Sequence, residues 1–350
     1  MTTDTSIFVS LATLSDVATA ALRRAGCNAA HARATAGVMV RAEQDGCSSH
    51  GLFRLPGYLA ALRSGKVAGD ATPVVASLAS GLIRIDGQRG FAPLAMGLAR
   101  ENLAPLARSQ GIAAAAIVNV HHFSALWVDI EPLVADGLGA FCFTSYLPVV
   151  APAGAKWPLF GTNPMAFGFP GADGGFMFDQ ASASMARGEL QILSREGKLA
   201  PEGVGIDAQG NATCNPAAIL AGAQSPFGGH KGSSIALMVE LLAGVLLGQP
   251  TSPEALREES ALGALEDTGP PRGGVLLIAF DPQKFGDATG WRAHAASFFA
   301  ELRALPGVRL PGDRRRRERD RIAREGVAPP AALWRDALAA AGHNPVTNPE

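Results

Sequence analysis

The chain has 350 residues, 47% of them hydrophobic, and a formal net charge of −1. This length is enough for two or three packed units with a sizeable core. The near-neutral charge argues against a general nucleic-acid-binding protein and against a protein held at membrane surfaces.

The cysteines predict reduced thiols in a cytoplasmic protein. They lie far apart, without a C-x-x-C pair or the ligand spacing of a zinc site, so no metal centre is predicted. Residues 1–10 lack a basic region followed by a long apolar run, which argues against a secretory signal. The most apolar segment, residues 235–247, is interrupted by Glu240 and is shorter than the ~20 residues of a membrane span. It is predicted to be a buried core helix. The cysteines are Cys27, Cys47, Cys142 and Cys214.

The N-terminal third of the chain is predicted to be mainly helical. Residues 15–24 have an amphipathic helical pattern, with Thr13 or Ser15 as the N-cap. The other elements predicted in this part are helices at 29–43 and 55–62, strands at 74–78 and 82–85, and a helix at 91–107.

The stretch 43–54 places Ser49, His50 and Arg54 close together in the sequence. Imidazole is suited to moving a proton near neutral pH, and guanidinium to binding a carboxylate through two hydrogen bonds. If the chain is helical from Ser49 onward, His50 and Arg54 share a face, although Pro56 disfavours that continuation. The pattern fits a proton donor beside a carboxylate clamp. The alternative is a surface histidine and arginine near a helix start.

The middle of the chain is predicted to form an α/β layer. Residues 112–120 read as a strand buried on both faces, 126–135 as a helix and 138–144 as a second buried strand. His121 to Ser124 follow the first strand, at the kind of strand end where ligands bind, but a strand-end histidine can also be purely structural. Residues 148–170 are predicted to be a long ordered loop, and 176–178 a strand that ends at Asp179.

The C-terminal third contains a glycine-rich stretch, residues 228–233, in which Lys231 precedes the apolar helix. It predicts an anion site, with a structural turn as the alternative. The basic run 314–317 is interpreted as a solvated face or as a partner of a ribose 2′-phosphate. No G-x-G-x-x-G follows a strand and no Walker loop is present, so an ordinary Rossmann site is not supported. The remaining predicted elements are a strand at 275–280 and helices at 291–305, 314–324 and 331–341.

Several motifs in fixed order carry a family resemblance. Ser49-His50-Gly51, Gly161-Thr162-Asn163-Pro164 and Gly229-His230-Lys231-Gly232 resemble the type-2 malate/L-lactate dehydrogenase family of NAD(P)-dependent oxidoreductases. Residues 122–127, 226–232 and 309–315 are similar to the Δ1-piperideine-2-carboxylate/Δ1-pyrroline-2-carboxylate reductase branch, also described as N-methyl-L-amino acid dehydrogenases. The likeness runs from about Asp16 to Trp334.

The resemblance implies an α/β, non-Rossmann NAD(P)-binding fold with a helical N-terminal region, working as a homodimer with the site near the subunit interface. The expected division is a helical region at 1–110 that carries the proton donor, an α/β core at 111–300 that binds cofactor and substrate, and C-terminal helices at 301–350 that pack back on the N-terminal region.

The resemblance also implies residue roles. His50 matches the proton donor, Ser49 a relay hydroxyl that bonds to it, and Glu189 the relay acid, where an aspartate is expected. Arg54 and Thr162 match contacts to the substrate carboxylate region. The residues that match the cofactor lining are His122, Phe123, Ser124, Ala125, Leu126, Asp179, Gln180, Ala181, Arg187, Gly188, His230, Lys231, Arg309, Leu310, Pro311, Gly312, Asp313, Arg314 and Arg315.

The implied activity is NADPH-dependent reduction of Δ1-piperideine-2-carboxylate to L-pipecolate and of Δ1-pyrroline-2-carboxylate to L-proline, extending to N-methyl-L-amino acids. His50 is expected to be kept cationic by a nearby carboxylate. NADH is the alternative cofactor to NADPH. The alternative functions are an NAD(P)-dependent 2-hydroxy acid dehydrogenase and a non-catalytic protein that binds a nucleotide or an amino acid.

Overall fold

A computed structural model describes residues 8–171, 174–261 and 270–343 of the chain. Within these ranges the strands are β1 (Val74–Ala79), β2 (Leu82–Asp86), β3 (Ile112–His121), β4 (Gly139–Thr144), β5 (Met165–Phe169), β6 (Phe176–Gln180), β7 (Gly205–Ile206), β8 (Ala223–Gln224) and β9 (Arg272–Phe280). The α-helices are α1 (Leu11–Arg24), α2 (Ala29–Gln44), α3 (Leu55–Arg63), α4 (Ala92–Gln110), α5 (Leu126–Ala135), α6 (Arg187–Arg195), α7 (Pro216–Ala221), α8 (His230–Val239), α9 (Ser252–Ala261), α10 (Trp291–Ala304), α11 (Asp313–Glu325) and α12 (Ala331–Ala341).

A mixed seven-stranded sheet in the order β1-β2-β3-β9-β4-β5-β6 forms the centre of the protein. The β2–β3 pair is parallel and the other pairs are antiparallel. β9 lies between β3 and β4, so the predicted strand–helix–strand unit does not place its two strands side by side. A sheet with this order differs from the parallel sheet of a doubly wound Rossmann fold, and the predicted α/β non-Rossmann class is confirmed.

Both faces of β3 are covered, which explains its continuous run of small apolar residues. Ala115 and Ile117 pack with α4 and α5 on one face, whereas Ala116 and Val118 pack with α8 and the turns that follow it on the other. The end of β3 is thereby fixed where His121 leads into the site.

A separate apolar cluster joins α1, α2 and α3 to the C-terminal helices. Leu22 and Tyr58 are buried there together with Ile322 of α11 and Trp334 of α12. The C-terminal helices thus pack on the N-terminal region. Residues 74–110, which the predicted division assigned to the helical region, contribute β1, β2 and α4 to the sheet layer, because β2 pairs with β3.

Two local predictions are corrected. Ser10, not Thr13 or Ser15, caps α1, since its hydroxyl accepts the Thr13 N–H at 3.0 Å. The predicted loop 148–170 contains β5, whose alternating apolar residues were hidden among prolines and glycines. The remaining predicted helices and strands are present with ends shifted by a few residues.

The predicted buried core helix is only half buried. Val239 and Ala243 pack against the sheet, but Leu237, Leu241 and Val245 are 49%, 50% and 59% exposed. α8 passes at Glu240 into a π-helical turn, and a 3₁₀ turn at Val245–Leu247 follows. Among the described residues, His230–Leu247 is the one helix long and apolar enough to cross a membrane, by length and composition alone.

Candidate active site

The stretch that carries His50 and Arg54 folds as two 3₁₀ turns, Ser48–His50 and Leu52–Arg54, instead of one helix. Gly51 separates the turns. A Cβ at Gly51 would lie 2.1 Å from Glu43 Oε1, and that oxygen accepts the Leu52 N–H at 2.8 Å. The predicted shared helical face is therefore absent, but the stretch is held in a defined shape by Glu43.

His50 is neutral at neutral pH in this structure. Its Nδ1 lies 3.1 Å from Ser49 Oγ, within hydrogen-bonding distance. Burial, and after it the neighbouring Arg54 guanidinium and His122, lower the pKa of His50 to about 3. The expectation that a nearby carboxylate keeps His50 cationic is wrong, because burial and the Arg54 guanidinium lower its pKa.

Arg54 lies beside His50 and stacks on aromatic rings. Its Cζ is 4.5 Å from the Phe123 ring centroid and 5.5 Å from that of Phe53. Cation–π contacts of this kind fix the plane of a guanidinium. Tyr58 packs edge-on against Phe123 below it, and burial raises the pKa of its hydroxyl. The arrangement presents a half-buried, oriented guanidinium next to the imidazole.

His122 follows β3 and is oriented by a fully buried carboxylate. Its Nε2 lies 2.9 Å from Asp129 Oδ2 and 3.3 Å from Ser124 Oγ. Arg100 of α4 approaches the other oxygen of Asp129 at 3.5 Å. A carboxylate behind an imidazole selects its tautomer and ring orientation. His122 is one of the groups that lower the pKa of His50, so the two imidazoles lie near each other.

Asp179 lies near the end of β6 and closes the site on another side. Its Oδ2 accepts the Trp127 N–H at the start of α5, at 3.2 Å. Burial raises the pKa of Asp179 to about 6, while that N–H and the Arg315 guanidinium oppose the shift. Gln180 and Ala181 continue the same segment, at exposed and half-buried positions.

The segment 309–315 docks along β6. Arg315 donates to the Met177 carbonyl at 2.9 Å, and Gly312, at φ +99°, forms the turn before α11. Leu310 is buried, whereas Arg309 and Arg314 are exposed. The predicted turn and basic helix are present, and within this segment Arg315 is directed inward whereas Arg309 and Arg314 face solvent.

Thr162 and Asn163 are held between α8 and the segment that follows β6. The Thr162 carbonyl accepts the Ser182 N–H and hydroxyl at 2.8 and 2.7 Å. Asn163 has φ +39° and donates to Glu240 Oε1 at 2.8 Å. Glu240 also bonds to Ser252. This buried network positions Thr162.

The glycine-rich turn leads directly into α8. Gly228 and Gly229 have φ +55° and +61°, values that favour glycine. The Phe227 N–H donates to the Ser182 carbonyl at 2.9 Å, which ties the turn to the strand-end segment. His230 and Lys231 are exposed at the N-terminus of the helix.

The first turn of α6 reaches the site through Gly188 but not through Glu189. A Cβ at Gly188 would lie 3.1 Å from Ser49 Cβ and 3.5 Å from an Arg54 terminal nitrogen. Glu189 is exposed, and no hydrogen bond or ion pair joins it to His50 in the part of the chain that the structure describes. Arg187, half-buried, precedes them at the start of the helix.

Sequence reasoning missed the residues that support this site from behind. Asp45, Arg100, Asp129 and Arg319 were assigned no role, and Trp127 was noted only as part of a motif. Trp127 could have been found from the sequence, because it is a large side chain directly after the His122 segment. The charged residues could not, because in a helical sequence pattern a charged residue is normally interpreted as exposed to solvent.

Comparisons with known proteins agree with one another. A family model described as malate/L-lactate dehydrogenase matches residues 9–337. A Δ1-pyrroline-2-carboxylate reductase from Ancylobacter novellus is 47% identical over 334 residues, 95% of this chain and 96% of that protein. A Δ1-pyrroline-2-carboxylate/Δ1-piperideine-2-carboxylate reductase from Pseudomonas aeruginosa is 46% identical over 93% of this chain and 96% of its own length.

Solved structures show the same likeness. The crystal structure of Δ1-piperideine-2-carboxylate reductase from Pseudomonas syringae pv. tomato matches with a TM-score of 0.90 at 40% identity, covering 96% of this chain and 100% of that one. Malate dehydrogenase from Entamoeba histolytica matches with a TM-score of 0.90 at 20% identity, covering 99% and 100% of the two chains, which shows a common fold.

Proposed function

The chain belongs to the malate/L-lactate dehydrogenase family, and from this premise we propose that it is an NADPH-dependent reductase of cyclic imines that carry a carboxylate. Its substrates are Δ1-pyrroline-2-carboxylate, reduced to L-proline, and Δ1-piperideine-2-carboxylate, reduced to L-pipecolate. The observation that carries the proposal is the oriented guanidinium of Arg54 beside the imidazole of His50. The relatives whose printed names specify these substrates are 40–47% identical to the chain.

Arg54 binds the substrate carboxylate through two hydrogen bonds. Pairing of Arg54 with the substrate carboxylate also affects the pKa of His50, because the Arg54 guanidinium is one of the groups that lower that pKa. A carboxylate on Arg54 offsets that charge, so the pKa of His50 rises when substrate binds. With Nδ1 directed at Ser49, Nε2 is the atom that gives a proton to the imine nitrogen. Thr162 lies at the substrate, held by its bonds to Ser182.

The residues present fit a nicotinamide dinucleotide. A Cβ at Gly229 would meet open space, so a ligand can approach the backbone at the N-terminus of α8. Exposed Arg309 and Arg314 supply cations for phosphate. His122, oriented by Asp129, lines the reacting end of the site. When bound, the reduced nicotinamide supplies a hydride to the imine carbon. The C=N bond becomes a single bond, and the nitrogen receives its proton from His50.

One assay tests the proposed function. NADPH oxidation is followed with pyrroline-2-carboxylate, piperideine-2-carboxylate, pyruvate and oxaloacetate, and with methylamine plus pyruvate. The proposal expects kcat/KM to be highest for the cyclic imines. A higher value for a 2-keto acid alone would identify a hydroxy-acid dehydrogenase. NADPH binding without turnover of any of these substrates would identify a non-catalytic binding protein.

Arg314 is proposed to select NADPH over NADH. It is exposed at the start of α11, where it can reach a ribose 2′-phosphate. Arg314→Gln is expected to raise the KM for NADPH by roughly 10-fold or more, since a hydrogen bond to a charged group is lost. The KM for NADH should not change. Arg317→Gln, an exposed position on the same helix, is the control. Equal use of NADH and NADPH by the wild type would contradict the assignment.

The protein is proposed to be a homodimer that buries the exposed apolar face of the helical segment His230–Leu247. Leu237, Leu241 and Val245 are spaced four apart and form an apolar stripe on a helix whose other face is packed. The same helix holds the Thr162 loop through Asn163. Burial of the stripe by a second copy would therefore place the interface next to the site.

Leu241→Glu tests the dimer. Light scattering after size exclusion should give twice the mass of one chain for the wild type. The variant should dissociate, with a Kd weakened by roughly 10-fold or more, because a charge replaces a buried apolar anchor. Leu199→Glu, at a 73% exposed position, is the matched control. A monomeric wild type, or a variant with unchanged mass, would contradict this interface.

We place the enzyme in the cytoplasm. All four cysteines are free thiols, as expected for a reducing compartment.

A further inference from the structure

Four segments of the site meet at one residue, Trp127 on α5, three of them at its side chain, which is 5% exposed. Its indole N–H donates to Asp45 Oδ2 at 2.8 Å. Its ring meets the His50 ring edge-on, with centroids 6.1 Å apart at 72°. The guanidinium of Arg315 lies over the same ring, with Cζ 4.9 Å from the centroid. Its backbone N–H donates to Asp179.

A buried charge network fixes the indole from behind. Asp45, at the end of α2, is fully buried. Both of its oxygens are bound by Arg319 of α11, at 2.8 and 3.0 Å. Arg319 also bonds to Glu131 at 2.9 Å, and Glu131 bonds to Arg41. The orientation of the indole is thus tied to α11, the helix whose first turn carries Arg315.

We propose that Trp127 is a positioning residue that holds the His50 imidazole and couples its placement to α11 and Arg315. The indole ring contacts the His50 imidazole, and the Arg315 guanidinium lies over the same ring. The indole N–H donates to Asp45, the carboxylate that Arg319 of α11 also binds. A shift of α11 at its cofactor-facing end is therefore transmitted to His50 through a ring that cannot turn without breaking a buried charged hydrogen bond. The inference rests on the proposed function for the substrate, for the role of His50 and for the cofactor expected near the first turn of α11.

Two substitutions separate the parts of the indole. Trp127→Phe keeps a ring but loses the N–H, and Trp127→Leu loses both. Trp127→Leu is expected to lower kcat about 10²-fold, the effect of a misplacement near 1 Å, with a smaller change in the KM for NADPH. Trp127→Phe should fall between it and the wild type. Trp157→Leu, at an exposed tryptophan, should leave both constants unchanged.

The support behind the indole has its own test. Arg319→Gln should lower kcat, as Trp127→Phe does. Arg319→Lys should lose less activity than Arg319→Gln, because lysine keeps a positive charge beside Asp45. Arg321→Gln removes surface ion pairs with Glu318 and Glu325 on the same helix and should have no effect on kcat.

A double-mutant cycle distinguishes positioning from general stability. If Trp127 acts through His50, the double variant Trp127→Leu/His50→Ala should have nearly the same kcat as His50→Ala alone. Losses that multiply in the double mutant would overturn the proposal, as would a lower melting temperature with unchanged kcat in both Trp127 variants.

A substrate-free readout keeps this inference separate from the proposed function. NMR titration of labelled histidine in the free protein should show a higher pKa for His50 in Trp127→Leu than in the wild type, because water reaches the imidazole. An unchanged His50 titration in both Trp127 variants would overturn the inference even if the wild type reduces the imines. A wild type that reduces neither imine would refute the proposed function and leave the NMR result as the test of Trp127.

Discussion

His50→Ala is expected to lower kcat with either cyclic imine by about 10²- to 10⁴-fold, the usual contribution of a positioned acid. The imidazole is the side chain that can deliver a proton beside the Arg54 guanidinium, and Ser49 holds its Nδ1. The Kd for NADPH should change little, since the contacts of His50 are with Ser49 and Trp127. Steady-state NADPH oxidation gives kcat, and fluorescence titration gives the Kd.

Two controls accompany this variant. His50→Asn keeps a group that can bond to Ser49 but cannot deliver the proton, so it should be as slow as the alanine variant. His343→Ala removes an exposed histidine beyond α12 and should match the wild type. An unimpaired kcat in His50→Ala would remove His50 from the mechanism.

Arg54→Ala is expected to raise the KM for the imine and lower kcat together, so that kcat/KM falls by roughly 10²-fold or more. The carboxylate loses its partner, and the imine carbon is no longer fixed relative to the bound cofactor. Arg54→Lys keeps the charge but not the planar fork, so it should recover only part of the loss. These constants come from the same NADPH assay with varied imine.

The pH dependence of the arginine variant gives a second readout. Arg54 is one of the charges that lower the pKa of His50, after burial. Its removal therefore raises that pKa in the free protein, and the pH at which the free imidazole gains a proton moves upward. Arg63→Ala, an exposed arginine at the end of α3, should alter neither the kinetics nor this pH. Unchanged kinetics in Arg54→Ala would contradict the carboxylate clamp.

Local patterns of the sequence predicted most of the elements but not their arrangement. The small apolar run at 112–120 marked a strand covered on both faces, which β3 is. Nothing in the strand at 272–280 showed that it would insert between β3 and β4, because strand order depends on contacts between residues distant in sequence. The exposed apolar stripe of residues 230–247 was also missed, since the sequence pattern of an apolar helix is the same whether the sheet or a second chain covers it.

The same limit applies to the site. Ser49, His50 and Arg54 were found because they lie in one short stretch and carry recognisable chemistry. Their support was not found, since Asp45 and Arg319 are 274 residues apart in the sequence. The charge state of His50 was misjudged for a related reason. Burial, Arg54 and His122 lower its pKa, and His122 comes from a different element.

The most direct test of the account is a crystal structure of the protein with NADP⁺ and L-proline. The account predicts the carboxylate of the ligand on the Arg54 guanidinium and its ring nitrogen within about 2.6–3.2 Å of His50. The carbon bonded to both groups should face the nicotinamide. A carboxylate bound away from Arg54, or a nitrogen out of reach of His50, would contradict the account.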